Sequence, residues 1–150
     1  MPYDISATGF TAIVQGDKTF PQGFQLSAWA DDADPFDLPA AAIAETAMDV
    51  NGNLVSWSAP QPQVITLNVI PGSEEDNNLR VLLEANTAKR GRRAAGDLIT
   101  IVASYGDGSI LTARNGKITQ GPRGVSVANA GRHKSNEYTF VFQDFDFVRA

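Results

Sequence analysis

Cysteine is absent from the 150-residue sequence, and histidine occurs once, as His133. Without cysteine the chain has neither a disulfide framework nor thiolate metal ligands. His133 lies between an arginine and a lysine in a polar stretch typical of an exposed loop, and no Gly-x-Ser-x-Gly segment offers a serine nucleophile. The glycine patterns of P-loops and dinucleotide-binding turns are absent as well. The sequence therefore predicts a protein that is not an enzyme and that needs no cofactor or metal ion.

Long apolar runs and an excess of positive charge are missing too. No apolar stretch approaches the roughly 20 residues of a membrane-spanning helix, and the N-terminus lacks the basic and apolar regions of a secretory signal. The formal net charge is -5, which argues against direct wrapping of nucleic acid and suits a surface to which DNA does not adhere. The length and the apolar fraction of 43% are those of one globular domain, residues 1–150.

One segment, about residues 73–90, carries the signals of an α-helix. Ser73 is a suitable N-cap, and Asp76, three residues later, resembles the acidic half of a capping box. An apolar stripe follows at helical spacing, formed by Leu79, Leu82 and Leu83. Because a single amphipathic helix of this length is not stable alone, it is expected to pack on a sheet.

Basic residues crowd the predicted end of this helix: Lys89, Arg90, Arg92 and Arg93. The dipole at a helix C-terminus favours positive charge, so a structural role is the favoured interpretation. Contact with phosphates or with an acidic neighbouring subunit remains the alternative. Gly91 is the residue expected to end the helix.

Alternating apolar residues predict strands on both sides of the helix. They cover residues 10–15, 24–28, 46–50, 54–58, 63–70, 97–104, 110–114, 117–120 and 137–145. Asn51-Gly52 and Asn115-Gly116 have the sequence of two-residue type I′ hairpin turns. The alanines of residues 40–49 also allow a short helix, although a strand is favoured there. The predicted fold is mainly β with one helix, an antiparallel β-sandwich or small barrel flanked by residues 73–90.

An acidic segment, residues 31–39, precedes the first of these hairpins. Its carboxylates and prolines predict an exposed loop; the acidic residues are Asp31, Asp32, Asp34 and Asp37. Such carboxylates suit calcium, but the spacing of an EF-hand is absent and a solvated loop is favoured. Phe36 and Leu38 are unusual in an exposed loop, and they predict that it docks on a partner.

The order of these elements resembles that of the tail tube proteins of contractile-tailed bacteriophages, which are related to bacteriocin and type VI secretion tube proteins. The similarity covers nearly the whole chain. The most suggestive stretches are P-G-S-E-E-D-N-N-L-R-V-L-L-E-A-N, D-L-I-T-I-V-A-S-Y-G-D-G-S and E-Y-T-F-V-F-Q-D-F.

This resemblance implies a virion tail protein made in the bacterial host cytoplasm. Hexameric rings of the chain would stack into a tube that conducts genomic DNA without specific binding, with tail sheath and baseplate proteins as partners. The expected contacts between subunits are Asp31, Asp32, Asp34, Phe36, Asp37, Leu38, Asn51, Gly52, Arg90, Arg92 and Arg93. The chain up to Phe10 and beyond Phe145 would be ordered mainly by neighbours. A baseplate or tail-end protein of the same fold and a monomeric β-sandwich binding module are the alternatives.

Overall fold

The computed structural model describes Ser6 and residues 8–31 and 33–149. Within these residues the chain forms nine strands and one helix, with antiparallel pairing throughout. In chain order they are β1 (Thr11–Gly16), β2 (Phe20–Leu26), β3 (Phe36–Asp37), β4 (Ala44–Met48), β5 (Leu54–Ser58), β6 (Gln63–Val69), α1 (Glu74–Ala85), β7 (Ile99–Ser104), β8 (Ile110–Gln120) and β9 (Asn136–Val148). The predicted class, mainly β with one helix, is confirmed.

Seven strands form one sheet in the order β2-β1-β7-β8-β9-β6-β3, and β4 and β5 form a separate two-stranded sheet. The large sheet curls over its own core. Just after β2, Trp29 forms a bridge with Val69 at the end of β6, so the chain leaving one edge strand returns to the far side of the sheet. No further strand pairing closes a barrel within the described ranges, and the architecture is that of a β-sandwich with one helix.

The core lies on one face of the curled sheet. Alternate residues of β6 and β9 are buried as their spacing predicts: Ile65, Leu67, Val69, Tyr138, Phe140 and Phe142. From α1, Leu79 and Leu82 are fully buried against them, whereas Leu83 is only half-buried. β7 lies inside the sheet, between β1 and β8, with one face buried and the other half-buried. Burial of this apolar stripe is what makes the helix stable.

The start of α1 follows the prediction closely. The Asp76 N–H donates to the Ser73 hydroxyl oxygen at 3.1 Å, and the Asp76 carboxylate accepts from the Gly72 N–H at 3.1 Å. The same buried carboxylate accepts from the Asn136 amide at 2.8 Å and from the Tyr138 hydroxyl at 2.9 Å. Burial and this hydrogen bond raise the pKa of Tyr138, so its hydroxyl remains a proton donor to Asp76. Asp76 thus takes part in the cap of α1 and also anchors the helix to β9.

The end of α1 differs from the prediction, because the helix stops at Ala85 instead of continuing to Arg90. The Thr87 hydroxyl donates to the Leu83 carbonyl at 2.7 Å, an acceptor that the next helical turn would use. The Asn86 side-chain amide donates to the Leu82 carbonyl at 2.9 Å, which also accepts from the Asn86 backbone N–H at 3.2 Å. The same side-chain amide donates to the Asp97 carboxylate at 2.8 Å. A contact between two distant residues therefore ends the helix before Gly91 is reached.

Asp97 was expected to begin a strand, but it precedes β7 and is fully buried. Its carboxylate accepts from the Lys18 and Thr19 backbone N–H groups at 2.9 Å each and from the Thr19 hydroxyl at 2.6 Å. Burial acts to raise the pKa of Asp97, but the hydrogen bonds from Thr19 and Asn86 outweigh it and the pKa is lowered. The ionised carboxylate joins the β1–β2 turn, the end of α1 and the start of β7.

The predicted hairpin at Asn115-Gly116 is wrong, since β8 runs through both residues as one strand. Asn115 adopts a φ of 55°, and the pairing with β7 shifts by one residue at this point, which makes a bulge. Gly116 is needed for another reason: a methyl group there would overlap the Phe142 ring. Packing across the sheet, and not a turn, explains this pair of residues.

The two ends of the chain were expected to depend on neighbours. β9 continues past Phe145 to Val148, and Phe147 pairs with Leu111 of β8, so for residues 146–148 the prediction is wrong. At the other end, residues 1–5 and 7 lie outside the described residues. Phe10 packs within its own chain, with its ring 5.2 Å from that of Trp29 and 5.1 Å from that of Tyr105.

Asp97→Asn is expected to lower the free energy of unfolding by about 2–3 kcal/mol at pH 7, because the new amide donors face buried donors. The stabilisation from a lowered pKa is complete above about pH 4 and is lost as the pH falls through the folded-state value. The difference in free energy of unfolding between the wild type and Asp97→Asn should therefore shrink below pH 4. Urea unfolding followed by circular dichroism at pH 7 and pH 3 measures it. Asp146→Asn, an exposed carboxylate on β9, is the control, and equal losses in both variants would contradict the role of Asp97.

Gly116→Ala is expected to cost about 1–3 kcal/mol by overpacking against Phe142. Gly124→Ala is the matched control, because a methyl group there meets nothing within 4 Å. Adding Phe142→Leu to Gly116→Ala should cost less than the sum of the two single changes. Additive losses would show that the contact is not the reason for this glycine.

Candidate assembly interface

The most unusual surface is the hairpin arm, defined as β4, β5 and the loop between them. It pairs with none of the other strands in the described ranges, and every residue from 37 to 58 is exposed. A two-stranded hairpin alone is marginally stable in water. The arm therefore has the geometry of an element that is completed by contact with another molecule.

The tip of the arm confirms the predicted hairpin but not the predicted turn. Only Gly52 of the Asn51-Gly52 pair has a positive φ, 83°, so the connection is a three-residue loop and not a type I′ turn. The Asp49 carboxylate accepts from the Asn51 N–H at 2.9 Å and from the Asn53 N–H at 2.8 Å. These hydrogen bonds, led by that from Asn53, lower the pKa of Asp49. They also hold the tip in shape without a core.

Apolar side chains lie on both faces of the arm. On one face Met48 pairs with Leu54, and on the other Trp57 pairs with Glu45, whose carboxylate accepts from the indole N–H at 3.0 Å. At the tip Val50 is fully exposed, with a relative accessibility of 101%. Exposed apolar surface of this kind is typical of interaction sites. Its position on two faces suits an arm that is covered from both sides.

The acidic segment that leads into the arm is partly held by its own chain. Asp31 forms a bidentate ion pair with Arg132, with both N–O distances at 2.9 Å. The backbone carbonyl of Asp34 accepts from the Asn68 amide at 2.8 Å. Asp32 lies outside the described residues. Asp37 is exposed on β3, so the segment presents carboxylates to solvent on its way to the arm.

Phe36 was expected to be exposed and to dock on a partner, but the structure places it in β3, opposite Leu67. It is half-buried, and its ring lies 5.0 Å from that of Phe10. The predicted exposure of Phe36 is therefore wrong, because Phe36 pairs with the edge of β6 as part of a strand. Leu38 is 38% exposed and is the apolar residue of this segment that remains available.

The basic cluster separates into two groups. Arg92 donates to the carbonyls of Glu84 and Thr87 at 2.6 and 3.1 Å, so it satisfies the C-terminal end of α1 from outside the helix. Lys89 pairs with the Glu84 carboxylate at 3.3 Å. In contrast, Arg90 and Arg93 are exposed, and the described part of the chain offers them no ion pair.

A shallow groove of 560 Å³, which the sequence did not predict, runs along the outer face of α1. It is lined by Asn77, Arg80, Val81, Glu84, Ala85 and Arg92. Val81 is 52% exposed. The Arg80 guanidinium donates to the carbonyls of Pro122 and Gly124 at 3.4 Å each, which holds the loop of residues 121–135 beside the groove. The groove thus has an apolar floor and arginines at its rim.

Sequence reasoning identified the hairpin and the acidic segment but not the apolar surface of the arm. The signal was present in the large apolar residues on both faces of β5, Leu54 on one and Val55 and Trp57 on the other, which an amphipathic strand does not show. Among the described residues, no group of three or more His, Asp or Glu side chains could hold a metal ion. No helix formed by the described residues has the length and apolar character needed to cross a bilayer.

Three solved structures share this fold at low sequence identity. A chain of the PVC sheath/tube terminator of an extracellular contractile injection system matches with a TM-score of 0.59 and 17% identity, over 99% of each chain. A chain of the anti-feeding prophage baseplate matches with a TM-score of 0.59 and 10% identity, over 99% of this chain and 97% of the other. The anti-feeding prophage tube terminating cap gives a TM-score of 0.52 and 18% identity, over 100% and 94%.

Comparison with curated protein sequences found no match. The model of one family, described as tail fiber protein gp32, matches residues 3–146. The match spans nearly the whole sequence, from the segment before β1 into β9. The chain belongs to the tail fiber protein gp32 family.

Proposed function

We propose that this chain is a structural protein of a phage tail that assembles with copies of itself into hexameric rings, in the manner of the tube proteins it resembles, and that these rings stack into the inner tube. The observation that carries the proposal is the hairpin arm, because its apolar residues are exposed and no other element of the described chain covers them. In a protein that assembles with itself, a neighbouring copy of the chain can cover these residues. The proposed role is structural and includes no catalytic step.

The fold neighbours support this role. They are chains of a sheath/tube terminator, of a tube terminating cap and of a baseplate. This proposal includes a tail location of the chain and contact with sheath and baseplate proteins. It also includes passage of genomic DNA through the lumen. The terminator and the cap among these neighbours favour a second candidate, a terminal ring that closes or starts the tube. Negative-stain microscopy of the purified protein separates the two, because a tube protein forms long tubes and a terminal protein forms single rings.

The second face of the large sheet is the surface that we propose lines the lumen. Its half-buried positions are rich in small β-branched residues: Thr66, Thr100, Val102, Thr112, Thr139 and Val141. Charged residues of both signs lie among them, Arg114 and Lys117 beside Glu137 and Asp146. A mixed and mostly uncharged surface offers phosphates no continuous basic track. DNA would therefore pass along it without specific binding.

The subunit contacts proposed from the sequence are retained in a changed form. Leu38, Asp34 and Asp37 are exposed beside the arm, and Asn51 and Gly52 form its tip. Phe36 is no longer part of the proposed contact, because it packs in its own chain. The arm residues Met48, Leu54 and Trp57 take its place as the apolar centre, and polar residues form the rim.

The double variant Met48→Ser, Leu54→Ser is expected to abolish assembly while leaving the fold intact, because it removes the exposed apolar pair from one face of the arm. Analytical ultracentrifugation measures assembly, and circular dichroism checks the fold. Ile110→Ser, Val148→Ser is the matched control, since these residues form an exposed apolar pair across β8 and β9. If the Met48→Ser, Leu54→Ser variant formed normal rings, the arm would be excluded as the assembly element.

Trp57 offers a direct measure of arm burial, because the other tryptophan, Trp29, is replaceable by phenylalanine. Trp29 is half-buried and donates from its indole to the Phe10 carbonyl at 3.1 Å, whereas Trp57 is 47% exposed. In a Trp29→Phe background, the emission of Trp57 is expected to shift to shorter wavelength when rings form. The same protein kept dilute and unassembled is the control. An unchanged emission maximum on assembly would contradict burial of this face of the arm.

A further inference from the structure

Positive and negative residues are separated along the chain to an unusual degree. Between Lys18 and Arg80 the sequence contains no lysine, arginine or histidine. The acidic residues in that interval are Asp31, Asp32, Asp34, Asp37, Glu45, Asp49, Glu74, Glu75 and Asp76. The arm and the segment that leads into it therefore carry charge of one sign. Glu45 and Asp49 lie on the arm itself, and Asp37 lies in β3, in the segment that leads into the arm.

The groove along α1 carries the opposite charge. Arg80 and Arg92 line it. Arg123 lies between the two residues whose carbonyls accept from Arg80, and it is therefore close to the same rim. Arg90 and Arg93 flank Arg92 in sequence and are exposed. The one carboxylate in the groove, that of Glu84, is paired with Lys89 at 3.3 Å. The groove is consequently a basic rim around the exposed side chain of Val81.

The arm and the groove match in two respects. Each carries exposed apolar residues, among them Val50 and Leu54 on the arm and Val81 in the groove, and their borders have opposite charge. A pairing of this kind already occurs inside the chain, where Asp31 of the acidic segment binds Arg132 of the loop beside the groove. Such complementarity fixes the register of a contact and accelerates association more than it adds affinity.

We propose that the arm of one copy docks in the α1 groove of the next copy, which deepens the proposed self-assembly and rests on it. The occupant of the groove is a second copy of this chain, because both complementary surfaces belong to one sequence. Two acidic arms repel each other, so the contact joins different surfaces of the two copies. Contacts of this head-to-tail type close into rings or continue into filaments.

Charge reversal tests the docking with two variants. The arm variant is Asp37→Lys, Glu45→Lys, and the groove variant is Arg90→Glu, Arg93→Glu. These residues are exposed, and the groove variant leaves in place Arg80 and Arg92, which hold the loop and the helix end. Alone, each variant is expected to need at least a tenfold higher protein concentration to form rings, because like charges then face each other.

The mixture of the two variants gives the decisive result. The reversed arm fits the reversed groove, and the original arm of the groove variant fits the original groove of the arm variant. Assembly should therefore return to the wild-type concentration when the two are combined, with both variants present in every particle. Mass photometry and crosslinking of labelled chains measure this. Glu137→Lys and Arg114→Glu, on the second face of the sheet, are the controls and should assemble normally both alone and mixed.

The outcomes separate the two proposals. A wild-type protein that stays monomeric at high concentration overturns both. If the wild type forms rings, if Met48→Ser, Leu54→Ser does not, and if the groove variant still assembles normally, then the arm has another receiver and only the docking proposal is overturned. Failure of the mixture to recover, with both variants folded by circular dichroism, also overturns it.

Discussion

Two buried carboxylates fix the single helix to the sheet, and the outward-facing features of the molecule depend on them. At the start of α1, Asp76 binds Asn136 and Tyr138 of β9. Just after its end, Asn86 binds Asp97, which in turn holds Thr19. A helix fixed at both ends cannot rotate about its axis. The apolar stripe therefore stays in the core, and the groove with its arginines stays on the surface.

Local signals in the sequence were sufficient where the structure is decided locally. The Ser73 cap, the alternation of β6 and β9, and the hairpin of β4 and β5 all depend on neighbouring residues, and they were predicted. The end of α1 was not, because Asn86 acts through Asp97, eleven residues away. The bulge in β8 was missed for the same reason, since Gly116 is required by its contact with the Phe142 ring on β9, which leaves no room for a side chain. A glycine after asparagine indicates a turn only when no neighbour requires the missing side chain.

The proposed interface was only partly predictable for a different physical reason. Alternation identifies which residues of a strand share a face, but it does not say whether that face meets a core or solvent. Phe36 and Leu38 therefore received the same interpretation, although β6 covers one and leaves the other exposed. The arm shows the converse case, because its apolar residues would fit a core strand equally well. Only the three-dimensional arrangement reveals that nothing in the described chain covers them.

The anchoring of α1 has a consequence for how such a protein can diverge. The residues that fix the helix point inward or lie at its ends, whereas the residues that line the groove point outward. Folding and the choice of partner therefore depend on different faces of one helix. Asn77, Val81 and Glu84 are exposed, and substitutions there leave the core untouched. If the arm docks in this groove, a change in the arm of one lineage can be matched by a change in the groove of the same gene. Related particles sharing one cell would then sort their subunits by sequence while keeping an identical scaffold.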